Sequence, residues 1–301
     1  METVIDTLLV FTIYKFANAA TNYTNQGLDK IPVGIPTHTS ILLLTKNNIT
    51  DVAAEQFSGL NHLKELYFDF NKLQVFPNFS YISSSLESLF LSNNEITAIP
   101  ESNLDNLVQL KQLILSYNHL TSIPNVVGPS RTLTKLNLLG NNLKDVPCLT
   151  DLGRNLKDVS FNENQIESID ASCFHALGPG TIKEMTFRGN NIITIPKRFD
   201  LSPGVKIIVM KNPIMCDACI GWMLEEDLQI SGKCKSPLHL VGRDLYDLTL
   251  ADLEEPPGGE GACGGAVSSN SGKLFSAPIT SHYLLCWSER LVFLTCGQLC
   301  T

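Results

Sequence analysis

The sequence predicts a solenoid whose coils each contain one short strand, one tight turn and one returning loop. Three observations lead there. The stretch LKQLILSYNHLTSIP, residues 110–124, carries apolar side chains at 110, 113, 115, 120 and 123, a rhythm that fits neither a single helix nor a single strand. The same string returns along the chain, and an asparagine returns with it at steps of 22 to 26 residues. Each copy is too short to bury its own apolar face, so neighbouring copies must stack into one continuous core.

The copies run in order. A weak first one, TSILLLTKNNI, starts at Thr39. It is followed by LKELYFDFNKL from Leu63, LESLFLSNNEI from Leu86, the opening stretch, LTKLNLLGNNL from Leu133, LKDVSFNENQI from Leu156 and IKEMTFRGNNI from Ile182; a shortened GVKIIVMKNP closes the series. Within a copy only the middle reads as strand, as at Leu113, Ile114 and Leu115. The recurring asparagines are Asn47, Asn71, Asn94, Asn118, Asn141, Asn164, Asn190 and Asn212. An amide is both donor and acceptor, so each is expected to satisfy the backbone of the turn after its strand, where an unpaired buried group would cost about 1–3 kcal/mol.

The returning loops have their own pattern. ITDVAAEQFSGLNHL, residues 49–63, directs Ile49, Val52, Phe57, Leu60 and Leu63 inward, and IESIDASCFHALG repeats the idea with Ile166, Ile169, Phe174 and Leu177. Pro100, Pro124, Pro147 and Pro196 end several of these segments, and proline, lacking an N–H, suits backbone that is not laddered. The string L-x-x-L-x-L-x-x-N-x-L, carried over residues 39–213, resembles the leucine-rich repeat, and the length and loop of each copy resemble its animal extracellular class. The resemblance implies a curved α/β horseshoe, with a parallel β-sheet on the concave face and loops, turns or short helices on the convex face.

The ends resemble the family unequally. NQGLDKIPVGIPTHTSILLL is similar to the end of an N-terminal cap through Gly27, Leu28, Ile31, Pro32, Ile35 and Pro36, yet no cysteine precedes Cys148 and Tyr23 stands about where a cap cysteine would be. At the other end, NPIMCDACIGWMLEE and GKCKSPLHLVGRDLYDLTLADL resemble the cysteine-flanked cap that closes extracellular arrays, with Trp222, Met223 and Leu224 on a short sealing helix. The family's pairing of first with third and second with fourth cysteine implies Cys216–Cys234 and Cys219–Cys263. Here the first two cysteines are spaced C-x-x-C instead of C-x-C, and Cys263 falls later than the family's fourth cysteine. A thioredoxin-like reading of Cys216 and Cys219 needs a β-α-β frame that the chain lacks. A zinc site needs a fourth ligand at regular spacing, and none is apparent. Cys148 and Cys173, within repeat segments, are expected to be isolated buried thiols.

The expected organisation is a possible signal peptide over 1–19, a degenerate N-terminal cap over 20–38, repeats over 39–211, the cysteine-flanked cap over 212–253, and a Pro/Gly/Ser-rich linker with an unstructured tail over 254–301. LLVFTIY, residues 8–14, followed by ANA at 17–19, has the form of a secretion signal with a small-residue cleavage site, although Glu2 and Asp6 stand where basic residues are expected. No run of 18 uncharged apolar residues occurs, so no transmembrane span is predicted. A net charge of −8 argues against nucleic acid or an anionic membrane as the main partner. Asn22, Asn48 and Asn78 open N-x-S/T sequons.

No catalytic constellation emerges. The six histidines fall in different repeats or in the ends, and no cofactor or metal site is expected. Function must then come from a surface. Side chains alternate along a strand, which puts Leu43, Tyr67, Phe90 and Ile114 on the concave face in the first four coils, and Asn137, Ser160, Thr186 and Ile208 in the rest. The residue before each turn asparagine adds Lys46, Phe70, Asn93 and Tyr117, then Gly140, Glu163 and Gly189. Leu43, Tyr67, Phe70, Phe90, Ile114 and Tyr117 are therefore the expected ligand-binding patch, because exposed apolar clusters mark recognition surfaces and aromatic residues serve as anchors. The reading is a secreted, extracellular, non-enzymatic recognition protein that binds a protein or glycoconjugate ligand on its concave face, in an oligomeric state the sequence leaves open. The resemblance leaves two alternatives: a non-catalytic subunit of an extracellular enzyme complex, and a truncated ectodomain of an adhesion or Toll-like receptor.

Overall fold

The structure, a computed structural model, describes residues 19–124, 132–148, 155–170, 173, 182–196, 205–224 and 229–253. Ten three-residue strands lie side by side, all parallel and in chain order: β1 (Ala20–Asn22), β2 (Ile41–Leu43), β3 (Glu65–Tyr67), β4 (Ser88–Phe90), β5 (Gln112–Ile114), β6 (Lys135–Asn137), β7 (Asp158–Ser160), β8 (Glu184–Thr186), β9 (Lys206–Ile208) and β10 (Gln229–Ser231). The sheet is one face of a leucine-rich repeat solenoid.

In each repeat the central strand residue is buried and its two neighbours face outward. The central residues Leu42, Leu66, Leu89, Leu113, Leu136, Val159, Met185 and Ile207 are in direct register from strand to strand. The apolar residue just after each strand, from Leu44 and Phe68 to Phe187 and Val209, is fully buried as well. Two inward residues per coil, stacked in register, make the continuous core that a single repeat cannot make. The returning segments close it from the other side: Ile49, Val52, Phe57, Leu60 and Leu63 are all buried, as are Ile166 and Ile169, while Phe174 and Leu177 lie outside the described residues. Phe79 packs its ring against both Phe57 and Phe76, at 5.5 and 5.6 Å between centroids, under the short 3-10 segments Ala54–Phe57 and Ser80–Ile82.

The turn asparagines do more than close their own turns. Asn118 Nδ2 donates to the carbonyl of Leu115 in its own coil at 3.0 Å and to that of Leu91 in the preceding coil at 2.9 Å, while its Oδ1 accepts the Ile96 N–H at 3.0 Å. Asn71 repeats this with Phe68, Leu44 and Ile49, and Asn212 with Val209, Phe187 and Ile192. The asparagines thus form a ladder that ties each coil to the one before. The residue ahead of each one takes the left-handed conformation: φ is 59° at Lys46, 58° at Phe70, 56° at Asn93, 55° at Tyr117, 52° at Glu163 and 57° at Lys211, with Gly140 and Gly189 at the equivalent places. An L-residue there costs roughly 1–2 kcal/mol, which the asparagine's bonds offset.

Both ends of the sheet come from outside the repeats. β1 lies in the stretch expected to be only a cap, and β10 lies inside the C-terminal cap. In that cap the 3-10 segment Ala218–Leu224 buries Trp222 and Met223, and the Trp222 indole N–H donates to the Ile195 carbonyl at 3.4 Å. Cys216 and Cys234 are bonded, with their Cα atoms 5.6 Å apart. Cys219 is disulfide-bonded too, and Cys263, its expected partner, lies outside the described residues. The expectation for Cys148 and Cys173 is overturned: they are bonded to each other, Cα to Cα 4.2 Å. Their separation of 25 residues is about one repeat, so stacking places one coil's cysteine against the next.

Candidate functional site

Leu43, Tyr67, Phe90 and Ile114 occupy the last position of β2 to β5 and are in direct register, so the four side chains form one row on the outer face of the sheet. All four are half-buried. The Tyr67 and Phe90 rings are stacked, with centroids 4.3 Å apart and planes within 4°. That spacing is close to the distance between neighbouring strands. The rings therefore face each other along the array and turn their edges toward the concave side.

The Tyr67 hydroxyl donates to Glu65 Oε2 at 2.8 Å, two residues back on the same strand and the same face. Burial, and then the bond and charge of Glu65, push its phenol up to about 12. Behind the row, Asp69 accepts the Ser92 N–H of the next coil at 2.8 Å, and burial raises its carboxyl. Along the opposite border Glu87 is held between Lys111 at 2.6 Å and Lys64 at 2.9 Å, and these bonds lower its carboxyl.

The remaining members of the expected patch lie elsewhere on this side. Phe70 and Tyr117 are past the strand ends, in the left-handed turns, and about half of each is exposed, 49% and 47%. Lys46 Nζ sits 5.9 Å from the Phe70 ring centroid, and the Tyr117 ring covers Gly140 of the following coil so closely that a Cβ there would meet it at 2.5 Å. Strict alternation from the strand does not extend through the turn, which is why the two aromatics form a rim and not a continuation of the row. Sequence reasoning missed the first position of each strand: Ile41, Glu65 and Gln112 are half-buried beside the row, and Ser88, in register with them, is buried. The same alternation that found Leu43 could have found them.

From β6 to β8 the face is polar, and Ile208 on β9 brings an apolar side chain back to the row. Lys135, Asn137, Asp158, Ser160, Glu184 and Thr186 line a shallow depression of about 200 Å³, and Lys206 Nζ is 3.2 Å from Glu184. Among the described residues no three His, Cys, Asp or Glu side chains group to hold a metal ion, and no helix is long and apolar enough to cross a membrane. Of the sequons, Asn22 and Asn78 are exposed and Asn48 is half-buried.

The parallel sheet, the asparagine ladder and the bonded C-terminal segment give the chain a leucine-rich repeat fold, closed at its C-terminal end by a disulfide-bonded cap. The leucine rich repeat family model matches residues 37–82 and 84–143. No curated protein matches the chain by sequence. Among solved structures, Toll in the Toll–Spatzle complex of Drosophila matches at 19% identity and TM-score 0.59, over 72% of this chain and 32% of that one. Human 5T4, the Wnt-activated inhibitory factor 1 or trophoblast glycoprotein, matches at 19% identity and TM-score 0.62, over 78% of this chain and 94% of that one. An LRR protein of Leptospira interrogans matches at 19% identity and TM-score 0.55, over 82% and 74%. The chain spans about a third of the Toll chain that it resembles.

Proposed function

We propose that the protein is a non-enzymatic extracellular recognition protein that binds a protein or glycoconjugate ligand on its concave face, at the row Leu43, Tyr67, Phe90 and Ile114. The observation that carries this reading is the row itself: four large apolar side chains in register on an outer sheet face, two of them stacked aromatic rings. Apolar clusters on an exposed face mark recognition sites, and aromatic side chains are favoured as anchors. The bonds Cys216–Cys234 and Cys148–Cys173, and the bonded Cys219, support an oxidising, extracellular setting, where disulfides persist. Toll, a protein of the same fold, is seen in complex with the protein Spatzle, which favours a protein over a small molecule as the ligand class.

The test is a quantitative capture from extracellular fluid by the intact array and by a Tyr67→Ala, Phe90→Ala variant. Loss of two anchors should weaken the specific interaction by about 2 kcal/mol or more, roughly thirtyfold. Ser160→Ala with Thr186→Ala, on the polar half of the same face, is the matched control and should change little. Unaltered capture by the aromatic variant would move the site off this row.

A further inference from the structure

Two of the three sequon asparagines share a local geometry but stand on different sides of the solenoid. Asn22 Oδ1 accepts the Thr24 N–H at 2.8 Å, and Asn78 Oδ1 accepts the Ser80 N–H at 2.9 Å, so in each case the side chain folds toward the sequon's third residue while Nδ2 stays outside that bond. Asn78 lies just before Phe79, the residue that caps the 3-10 segment Ser80–Ile82 of the returning loop. Asn22 is different, because it is the last residue of β1 and is in register with Leu43. Its exposed side chain therefore continues the row Leu43, Tyr67, Phe90, Ile114 by one more place, on the concave face.

We propose that Asn22 carries an N-linked glycan that stands on the concave face and limits access to the apolar row from its N-terminal end. This rests on the extracellular reading above, since the modification needs the secretory pathway. The donor is a lipid-diphosphate-linked oligosaccharide. Asn22 Nδ2 attacks the anomeric carbon of its reducing-end sugar, the N–C bond forms, the bond from that carbon to the diphosphate oxygen breaks, Nδ2 loses one proton and the lipid diphosphate leaves. Neighbouring strands are about 4.8 Å apart, so Leu43, Tyr67 and Phe90 lie roughly 5, 10 and 14 Å from Asn22 along the row. A branched chain of several hexoses covers that range, and its cover weakens with distance. A glycan on Asn78 starts from the other side of the coil and leaves the row open.

Hydroxyl-radical footprinting of the secreted protein tests this without any ligand. Wild type is compared with Asn22→Gln, with Thr24→Ala, which removes the sequon and keeps the asparagine, and with Asn78→Gln. Peptide mass spectrometry should find Asn22 occupied. Because a cover over half of the accessible area halves what a solvent-borne reagent reaches, oxidation of Leu43 and Tyr67 should rise about twofold in both sequon variants. The rise should fade through Phe90 to Ile114, and Asn78→Gln should leave all four unchanged. A bare Asn22 in secreted protein overturns this proposal alone, as does an even rise along the row or no rise at all. A product retained in the cytosol overturns the secretion on which both readings rest. The gradient is read whatever the Tyr67→Ala, Phe90→Ala variant does to capture, so loss of the binding reading leaves it standing or fallen on its own.

Discussion

Asn118 donates from its Nδ2 to the carbonyl oxygen of Leu91, a full coil earlier, at 2.9 Å, so a residue placed by a local turn holds two coils together. Asn118→Leu removes that bond, the bond to Leu115 and the bond from Ile96. The Leu91 and Leu115 carbonyls keep Asn94 and Asn141 as donors, but the Ile96 N–H is left without its acceptor in a buried site. One orphaned donor and two lost bonds should cost about 3 kcal/mol in urea unfolding. Asn93→Leu forfeits only the tolerance of asparagine for φ near 56°, at about 1–2 kcal/mol. Equal shifts for the two variants would contradict the ladder.

The bond between Cys148 and Cys173 joins consecutive coils across a separation of 25 residues. Closing a loop of that size stabilises by about 3 kcal/mol in the chain-entropy view. Replacing both cysteines by serine should lower the melting temperature accordingly, and a non-reducing peptide map of the native protein should contain the cross-linked pair. Alkylation of both thiols in the native state would rule the bond out.

Gly140 has φ of 67°, and an added Cβ would lie 2.5 Å from the Tyr117 ring. Gly140→Ala therefore carries two costs, about 1–2 kcal/mol for the backbone and a further loss from displacing the ring. In a Tyr117→Ala background only the first remains. A double-mutant cycle by denaturant unfolding should give a coupling of about 1 kcal/mol, and strict additivity would show that the ring does not rest on this glycine.

Tyr67 should ionise well above the ordinary tyrosine range. An unfolded tyrosine titrates near 10, whereas burial and Glu65 hold Tyr67 near 12. The folded value is the higher one, so the protonated phenol's contribution to stability is complete below pH 10 and is lost as the pH rises from about 10 to about 12. Tyr67→Phe should flatten the fall of stability across that window and remove the step near 12 from an ultraviolet difference titration. An unchanged titration curve would place Tyr67 in water and not beside Glu65.

Some of this architecture is written locally, and the rest depends on which coil lies next to which. The apolar rhythm names the strands, the two inward residues of each coil and the turn asparagine, because each follows from alternation and from burial of a face that one repeat cannot bury alone. The row Leu43, Tyr67, Phe90, Ile114 was legible for the same reason. Phe70 and Tyr117 were displaced to the rim because the turn switches the backbone to positive φ, where strand alternation ends. The partners of Asn118 in the preceding coil, and the bond from Cys148 to Cys173, depend on stacking, and the returning loops vary in length enough to hide which residues come to stand opposite. β1 and β10 carry no repeat signal at all: Ala20–Asn22 and Gln229–Ser231 join the sheet through backbone hydrogen bonds, which an exposed strand edge offers to almost any extended segment, whatever its side chains.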